Sequence, residues 1–130
     1  MRLTKVIVAG GRHFDDYEYM AKVLDRLLNV QEDYIIVSGG AKGTDRLGER
    51  YANEENYEIE QHPADWYKHG RGAGFMRNKE MAESADMLVA FWDGESKGTR
   101  GMILDALHEG LEVHVHTYKS VEETSEEEDV

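Results

Sequence analysis

Short apolar runs alternate with longer amphipathic stretches along this chain. Residues 5–9, 34–37 and 87–92 form short, mainly apolar runs, rich in β-branched or aromatic side chains. Such runs are typical of strands buried on both faces of a sheet. Residues 57–62 alternate between apolar and polar positions, which is typical of a strand near a sheet edge, and residues 112–117 are predicted as the last strand. The pattern therefore predicts five strands.

The stretches between these strands predict helices. The first and last helical faces are defined by Met20, Val23, Leu24, Leu27, Leu28, Met102, Ile103, Ala106 and Leu107. Asp15, followed by Glu18, is predicted to cap the first helix, and Gly110 to end the last one. Further helices are predicted at about 45–55 and 75–84, with 64–74 as the least regular segment. The order βαβαβαβαβ predicts an α/β fold, a three-layer αβα sandwich around a five-stranded, mainly parallel sheet.

Composition and charge limit the classes of function. The 130 residues carry 27 acidic against 15 basic side chains, a net charge of −12, and no cysteine. We expect one domain at residues 1–118 and an acidic, disordered tail at 119–130. No apolar run approaches the roughly 20 residues of a membrane span, so a cytoplasmic protein without a membrane partner is predicted. A nucleic-acid partner is disfavoured, because such binding relies on basic side chains that neutralise phosphates.

Three loops that follow strands combine glycine with hydroxyl or charged side chains. Glycine lets a backbone approach a phosphate closely, and a helix N-terminus attracts anions. Taken singly, each loop is more often a tight turn, but three in one small parallel sheet favour a binding site at its carboxyl edge. The loops after residues 9 and 92 are expected to lie side by side at the switch point of the sheet, because each follows a buried strand and begins a helix. The candidates are Gly10, Gly11 and Arg12; Ser38, Gly39, Gly40, Gly43, Thr44 and Asp45; and Ser96, Gly98 and Thr99. Neither the Walker pattern nor G-x-G-x-x-G is found, which leaves ordinary nucleotide hydrolases and dinucleotide dehydrogenases unsupported.

Other candidate side chains have two interpretations each. Arg12 is interpreted as a phosphate contact or a surface ion pair, and Asp45 as a helix N-cap, a ligand contact, or both. Trp66 is expected to stack on a base or to pack in a core or dimer. Asp93 is a carboxylate of the third loop. No metal site is predicted, because His114 and His116 share a strand face without a third ligand suggested by spacing.

The blocks GGRHFDD, IIVSGGAKGTDRLGERYA and PADWYKHGRGAGFMRNKEMAESADMLVAFWDGESKGTRGMILDA cover nearly all of the chain before the tail. They resemble the YspA-like branch of the SLOG superfamily, which also contains the DprA proteins and the Lonely Guy phosphoribohydrolases. The resemblance implies a Rossmann-like sheet, a site for a nucleotide or nucleotide-derived molecule, and a homodimer. Candidate dimer surfaces are the helical faces within 20–28 and 102–107.

The Lonely Guy enzymes carry an arginine in an R-K-x-x-M-like helix and a glutamate in P-G-G-x-G-T-x-x-E. Arg77 is similar to that arginine, with Asn78 beside it as a base- or ribose-binding amide. The glutamate position, however, falls on Met102. We therefore expect a binding module for a nucleotide or nucleotide-derived ligand, such as a nucleotide-sugar or ADP-ribose-like signal, with no cofactor. The alternative is an N-glycosidic hydrolase of nucleoside monophosphates, with Arg77, Asp93 or Asp45 as catalytic candidates.

Overall fold

Five parallel strands form one sheet at the centre of the protein. The computed structural model describes residues 2–119, so the predicted tail from residue 120 onward lies outside the described residues. The strands are β1 (Thr4–Gly10), β2 (Tyr34–Ser38), β3 (Glu58–Gln61), β4 (Met87–Trp92) and β5 (Glu112–Thr117). They lie in the order β3-β2-β1-β4-β5, and every neighbouring pair is parallel. The predicted fold class is confirmed, with all pairings parallel rather than most.

Helices cover both faces of this sheet. They are α1 (Tyr17–Leu27), α2 (Thr44–Glu55), α3 (Trp66–His69), α4 (Ala73–Ser84) and α5 (Lys97–His108), and a 3₁₀ turn, Gly70–Gly72, joins α3 to α4. None of the helices within residues 2–119 combines the length and apolar character that a membrane span requires. A three-layer αβα arrangement results.

Successive residues of the central strands supply two separate cores. Val6 and Val8 of β1 pack on the side of α1 and α2, with Met20 and Leu24. Ile7 and Ala9 point the other way, toward a core that includes Met81 of α4 and Met102 and Ala106 of α5. Val6, Ile7 and Val8 are fully buried, as the continuous apolar run predicts. The alternation of side chains along each strand thus fixes which helices lie on which face.

Three local predictions differ from the structure. Asp16, rather than Asp15, caps α1, because its carboxylate accepts the amide of Tyr19 at 3.1 Å. Gly43 occupies the N-cap position of α2, so Asp45 is not the cap but lies in the first turn. The segment at 64–74, predicted as irregular, contains α3, whose cap is Asp65; its carboxylate accepts the amide of Lys68 at 3.0 Å. A single capped turn has no helical periodicity to reveal it.

The direction of the chain changes at the centre of the sheet. From β1 the chain adds β2 and β3 on one side, and then returns to add β4 and β5 on the other. The loops after β1 and β4 therefore begin side by side and diverge, as predicted, with Gly10 paired to Phe91. The Gly11 amide continues this pairing by donating to the Phe91 carbonyl at 3.1 Å. In open parallel sheets, ligands bind in the crevice at such a point.

Candidate functional site

A cavity of about 510 Å³ opens at the point where these two loops diverge. Of the predicted site residues, it is lined by Gly10, Gly11, Arg12, Asp45, Trp66, Arg77, Asn78, Asp93, Ser96, Gly98 and Thr99. Its size lies within the range of about 300–1,000 Å³ that is usual for small-molecule sites. Residues from the loops after β1, β2 and β4 and from α3 and α4 therefore meet around one space.

Five predicted residues do not line the cavity: Ser38, Gly39, Gly40, Gly43 and Thr44. The amide and hydroxyl of Thr44 both donate to the Gly11 carbonyl, at 3.1 and 2.9 Å. A β-carbon at Gly43, whose φ is +76°, would overlap the Gly11 and Arg12 carbonyl oxygens. The start of α2 is consequently occupied by the neighbouring loop, and this glycine serves close chain packing.

Ser38 and Gly39 contact residues around the site, although they do not line the cavity themselves. The buried Ser38 hydroxyl donates to Glu49 at 2.7 Å and accepts the Gly40 amide at 3.1 Å. At Gly39, a β-carbon would overlap the guanidinium of Arg77. The second loop therefore shapes the site chiefly through its backbone, and only Ala41 and Asp45 of this loop line the cavity.

Asp45 is the most perturbed acid at the cavity. Burial raises its pKa to about 6, and the hydrogen bond from the Ala41 amide and the positive charge of Arg77 offset only part of that shift. The carboxylate accepts the Ala41 amide at 3.1 Å. A carboxyl group with a pKa this close to neutral exchanges a proton readily at physiological pH, as a general acid or base must.

Asp93 has a different role. Its carboxylate accepts the amides of Glu95 and Ser96 at 2.9 and 2.8 Å, and so it fixes the turn after β4. Ser96 then caps α5 without a side-chain hydrogen bond to the helix. The first amides of α5, including those of Gly98 and Thr99, have no intrahelical partner. They lie at the positive end of the helix dipole, beside the cavity.

Arg77 and Asn78 of α4 connect the loops around the cavity. The Arg77 Nη1 donates to the Gly39 carbonyl at 2.7 Å, and its Nε donates to the Asn78 Oδ1 at 3.0 Å. The Asn78 Nδ2 donates to the Gly98 carbonyl at 3.3 Å. Both predicted residues line the cavity, and these bonds join them to the loop after β2 and to the start of α5.

Aromatic side chains border the cavity at its α3–α4 end. Trp66 and Phe75 each line it, although each is 55% exposed. The Trp66 ring lies against Gly74, where an added β-carbon would be 3.5 Å from its Cη2 atom. Tyr67 is fully exposed and does not line the cavity. Trp66 and Phe75 thus offer apolar ring surface beside a group of cations.

Sequence reasoning missed several residues that line the cavity: His13, Arg71, Phe75 and Tyr118. Arg71 lies in the 3₁₀ turn within the segment predicted as irregular. Tyr118 directly follows β5, and its amide donates to the Trp92 carbonyl at 3.0 Å. Of these four residues, Tyr118 is the one whose position gave a signal: it follows the last predicted strand. The carboxyl ends of parallel strands meet at the same edge of the sheet, where the cavity lies.

The histidines of β5 lie away from this cavity. His114 contacts Glu112 at 2.5 Å, and His116 stacks on Phe91 and lies 3.3 Å from the Tyr19 hydroxyl. Burial and the neighbouring His114 lower the pKa of His116. Within residues 2–119, no three His, Asp or Glu side chains are grouped so that they could hold a metal ion.

Two comparisons with known proteins bear on this site. The model of the YspA, cpYpsA-related SLOG family matches residues 4–69, which span β1 to α3. The gene 61 protein of Mycobacterium phage D29 is 35% identical over 118 residues, which cover 85% of this chain and 94% of the phage protein. The chain belongs to the YspA, cpYpsA-related SLOG family. This family membership favours a ligand or substrate related to nucleotides at the site.

Proposed function

We propose that this protein binds a nucleotide or nucleotide-derived ligand, with its phosphate at the N-terminus of α5. The observation that supports this most is the cavity at the point where the β1 and β4 loops diverge, because amides without helical partners and three arginines surround it. Arg12, Arg71 and Arg77 all line this cavity. Amides at a helix start and arginine side chains are the groups that bind phosphate in proteins.

Arg12 and Arg77 differ in how freely they could contact a phosphate. The exposed Arg12 makes no ion pair with any carboxylate among residues 2–119. Arg77, by contrast, already donates to the Gly39 carbonyl and so contributes its charge from a fixed position. Arg12 is therefore the more direct phosphate contact in this proposal, and Arg77 the more distant positive charge.

The base is proposed to stack on the aromatic side chains that line the cavity. Trp66 and Phe75 provide this ring surface, and stacking on aromatic rings is open to every base. The pair is partly exposed, so the ligand itself would cover it. A small anion suits this chain better than duplex nucleic acid, since a local group of arginines operates within an overall charge of −12.

The first experiment is mass spectrometry of small molecules released when the purified protein is denatured. It is followed by calorimetric titration with the four nucleoside 5′-monophosphates and, as matched controls, the corresponding nucleosides. The proposal predicts binding of at least one monophosphate and a loss of about tenfold or more without the phosphate, because charged hydrogen bonds contribute about 1.5–3 kcal/mol. Equal affinity for nucleoside and nucleotide would contradict it.

A second candidate function is hydrolysis of the N-glycosidic bond of a nucleoside monophosphate. Asp45 favours it, because this buried carboxyl lines the cavity and has a pKa of about 6. Met102, at the position of the Lonely Guy glutamate, is 1% exposed and supplies no acid. Asp45→Asn should then abolish release of free base, whereas Asp93→Asn should retain it, because an amide oxygen still accepts the two loop amides. No base release by the unmodified protein would exclude this candidate.

A further inference from the structure

Asn78 is a polar side chain that is 9% exposed, with both ends of its amide engaged. Its Oδ1 accepts the Arg77 Nε at 3.0 Å, and its Nδ2 donates to the Gly98 carbonyl at 3.3 Å. A guanidinium only donates and a carbonyl only accepts, so a single orientation of the amide satisfies both partners. The neighbours of Asn78 therefore determine which way it points.

Hydrogen bonds from Arg77 and Asn78 of α4 connect three loops to one another. The Arg77 Nη1 donates to the Gly39 carbonyl after β2 at 2.7 Å and to the His62 carbonyl after β3 at 3.5 Å. Asn78 links the same guanidinium to Gly98, the second residue of α5. The loops after β2, β3 and β4 are thus joined by one continuous set of hydrogen bonds.

The bond to Gly98 has a consequence for the residue that follows. The Gly98 carbonyl and the Thr99 amide belong to the same planar peptide unit, in which C=O and N–H point in opposite directions. A hydrogen bond that holds the carbonyl therefore sets the direction of the Thr99 N–H. That N–H lies in the first turn of α5, where it has no intrahelical partner.

We propose that Asn78 is a positioning residue: it fixes the Gly98–Thr99 peptide plane relative to Arg77, so that the start of α5 holds its anion-binding orientation before a ligand arrives. The part of this inference that concerns the anion rests on the proposed function. The orientation of the peptide plane does not depend on the proposed function, and it can be measured without a ligand. Preorganised donors avoid the cost of ordering the loop when the ligand binds.

The deciding variants are Asn78→Asp and Asn78→Ala, with Asn53→Asp on the exposed face of α2 as the matched control. An ionised aspartate at 78 accepts from Arg77 but cannot donate to the Gly98 carbonyl. It therefore removes the bond to the Gly98 carbonyl alone, whereas Asn78→Ala removes both bonds.

The probe is the nucleoside 5′-monophosphate that the unmodified protein binds best, titrated at one pH. We expect Asn78→Asp and Asn78→Ala each to bind it about tenfold more weakly than the unmodified protein, and Asn53→Asp to bind it equally well. Alanine adds no charge that could repel a phosphate, so unchanged affinity in Asn78→Ala would overturn the inference.

A second measurement uses the ligand-free protein. Amide hydrogen exchange at residues 100–102, where the hydrogen-bonded amides of α5 begin, should be faster in Asn78→Ala than in the unmodified protein, and Asn53→Asp should leave it unchanged. Unchanged exchange in Asn78→Ala would overturn the inference whatever ligand the protein takes. Faster exchange, together with a protein that binds none of the monophosphates, would support the orienting role of Asn78 and refute the proposed function instead.

Discussion

The hydroxyl of Tyr118 lies directly against the α-carbon of Gly11. A β-carbon at position 11 would overlap the Tyr118 Oη and lie 3.1 Å from its Cζ. Tyr118 follows β5, and its ring packs on Phe14 with the ring centroids 4.9 Å apart. The residue after the last strand thus limits which side chain the first glycine loop tolerates, although β4 lies between β1 and β5 in the sheet.

This contact predicts that Gly11→Ala and Tyr118→Phe are coupled. Gly11→Ala alone should lower the free energy of unfolding by about 1–3 kcal/mol, as overpacking does. Removing the hydroxyl with Tyr118→Phe relieves the worst overlap, so the double variant should recover part of that loss. Gly74→Ala, whose β-carbon would meet only ordinary contacts at 3.5 Å or more, is the control. If the changes in the free energy of unfolding, measured in urea, simply add in the double variant, the two residues are not coupled.

Asp45 predicts a specific dependence of stability on pH. Burial raises its pKa from 3.8 to about 6 in the folded protein, so the folded state binds a proton more tightly than the unfolded chain does. This destabilising contribution is negligible below about pH 4, grows as the pH rises toward 6, and then stays constant. At about 1.4 kcal/mol per pKa unit, it amounts to roughly 3 kcal/mol above pH 6.

Asp45→Asn should remove this contribution, because an amide does not ionise and its oxygen still accepts the Ala41 amide. The variant is therefore expected to be more stable than the unmodified protein at pH 8, and equally stable near pH 4, in urea unfolding. Asp93→Asn is the control, since it makes the same exchange at a carboxylate whose two loop amides remain bound to the new amide oxygen. A variant that loses stability at pH 8 would contradict the pKa assigned to Asp45.

The strands were largely predictable because burial leaves a direct record in the sequence. β4 and β5 begin and end at the predicted residues, and β1 and β2 extend only slightly beyond them. Helices cover both faces of the sheet, so residues of β1 and β4 such as Val6 and Leu88 are fully buried, and both strands contain a continuous apolar run. The adjacency of β1 and β4 was expected because each is a buried strand that leads through a glycine loop into a helix, whereas the full strand order was not predicted.

The second glycine loop could not be interpreted in the same way. Glycine permits close approach by a ligand or by another segment of the chain, and the sequence does not distinguish the two. At Gly43 the neighbour is the backbone of Gly11 and Arg12. The sequence likewise did not show that the Asn78 amide holds Arg77 and Gly98, and its binding of a base or ribose stays a prediction. Which atoms surround a polar group depends on the folded contacts and not on local sequence.

Self-association is a further proposal, and α5 offers a surface for it. The apolar face of α1 lies in the core, where Met20 and Leu24 are fully buried. On α5, however, Leu104 and Leu107 are each more than half exposed. Single domains rarely leave contiguous apolar patches uncovered, so we propose that a second copy of the chain covers this surface.

Leu104→Glu should therefore convert a dimer to a monomer in light scattering at micromolar concentration, because it places a charge in an apolar contact. Val30→Glu is the matched control: Val30 is 73% exposed and lies beyond α1, away from this surface. It should leave the dimer intact. A monomeric unmodified protein would refute self-association, and equal effects of both variants would refute this location.

The sharpest test of phosphate binding concerns Thr99. Its side chain is 5% exposed, and its hydroxyl lies 3.5 Å from the Ser96 Oγ at the start of α5. Thr99→Val keeps the shape and removes the hydroxyl. If that hydroxyl bonds to a phosphate, the affinity for the best monophosphate should fall by roughly ten- to a hundredfold, since such bonds contribute about 1.5–3 kcal/mol.

The control is Thr4→Val, the same exchange at the opposite end of β1, which should leave the calorimetric affinity unchanged. The corresponding nucleoside provides a second comparison, because Thr99→Val should affect its binding little. A loss that is the same for nucleoside and nucleotide would place Thr99 near the ribose or base instead of the phosphate. Unchanged affinity for the nucleotide would refute phosphate binding by this hydroxyl.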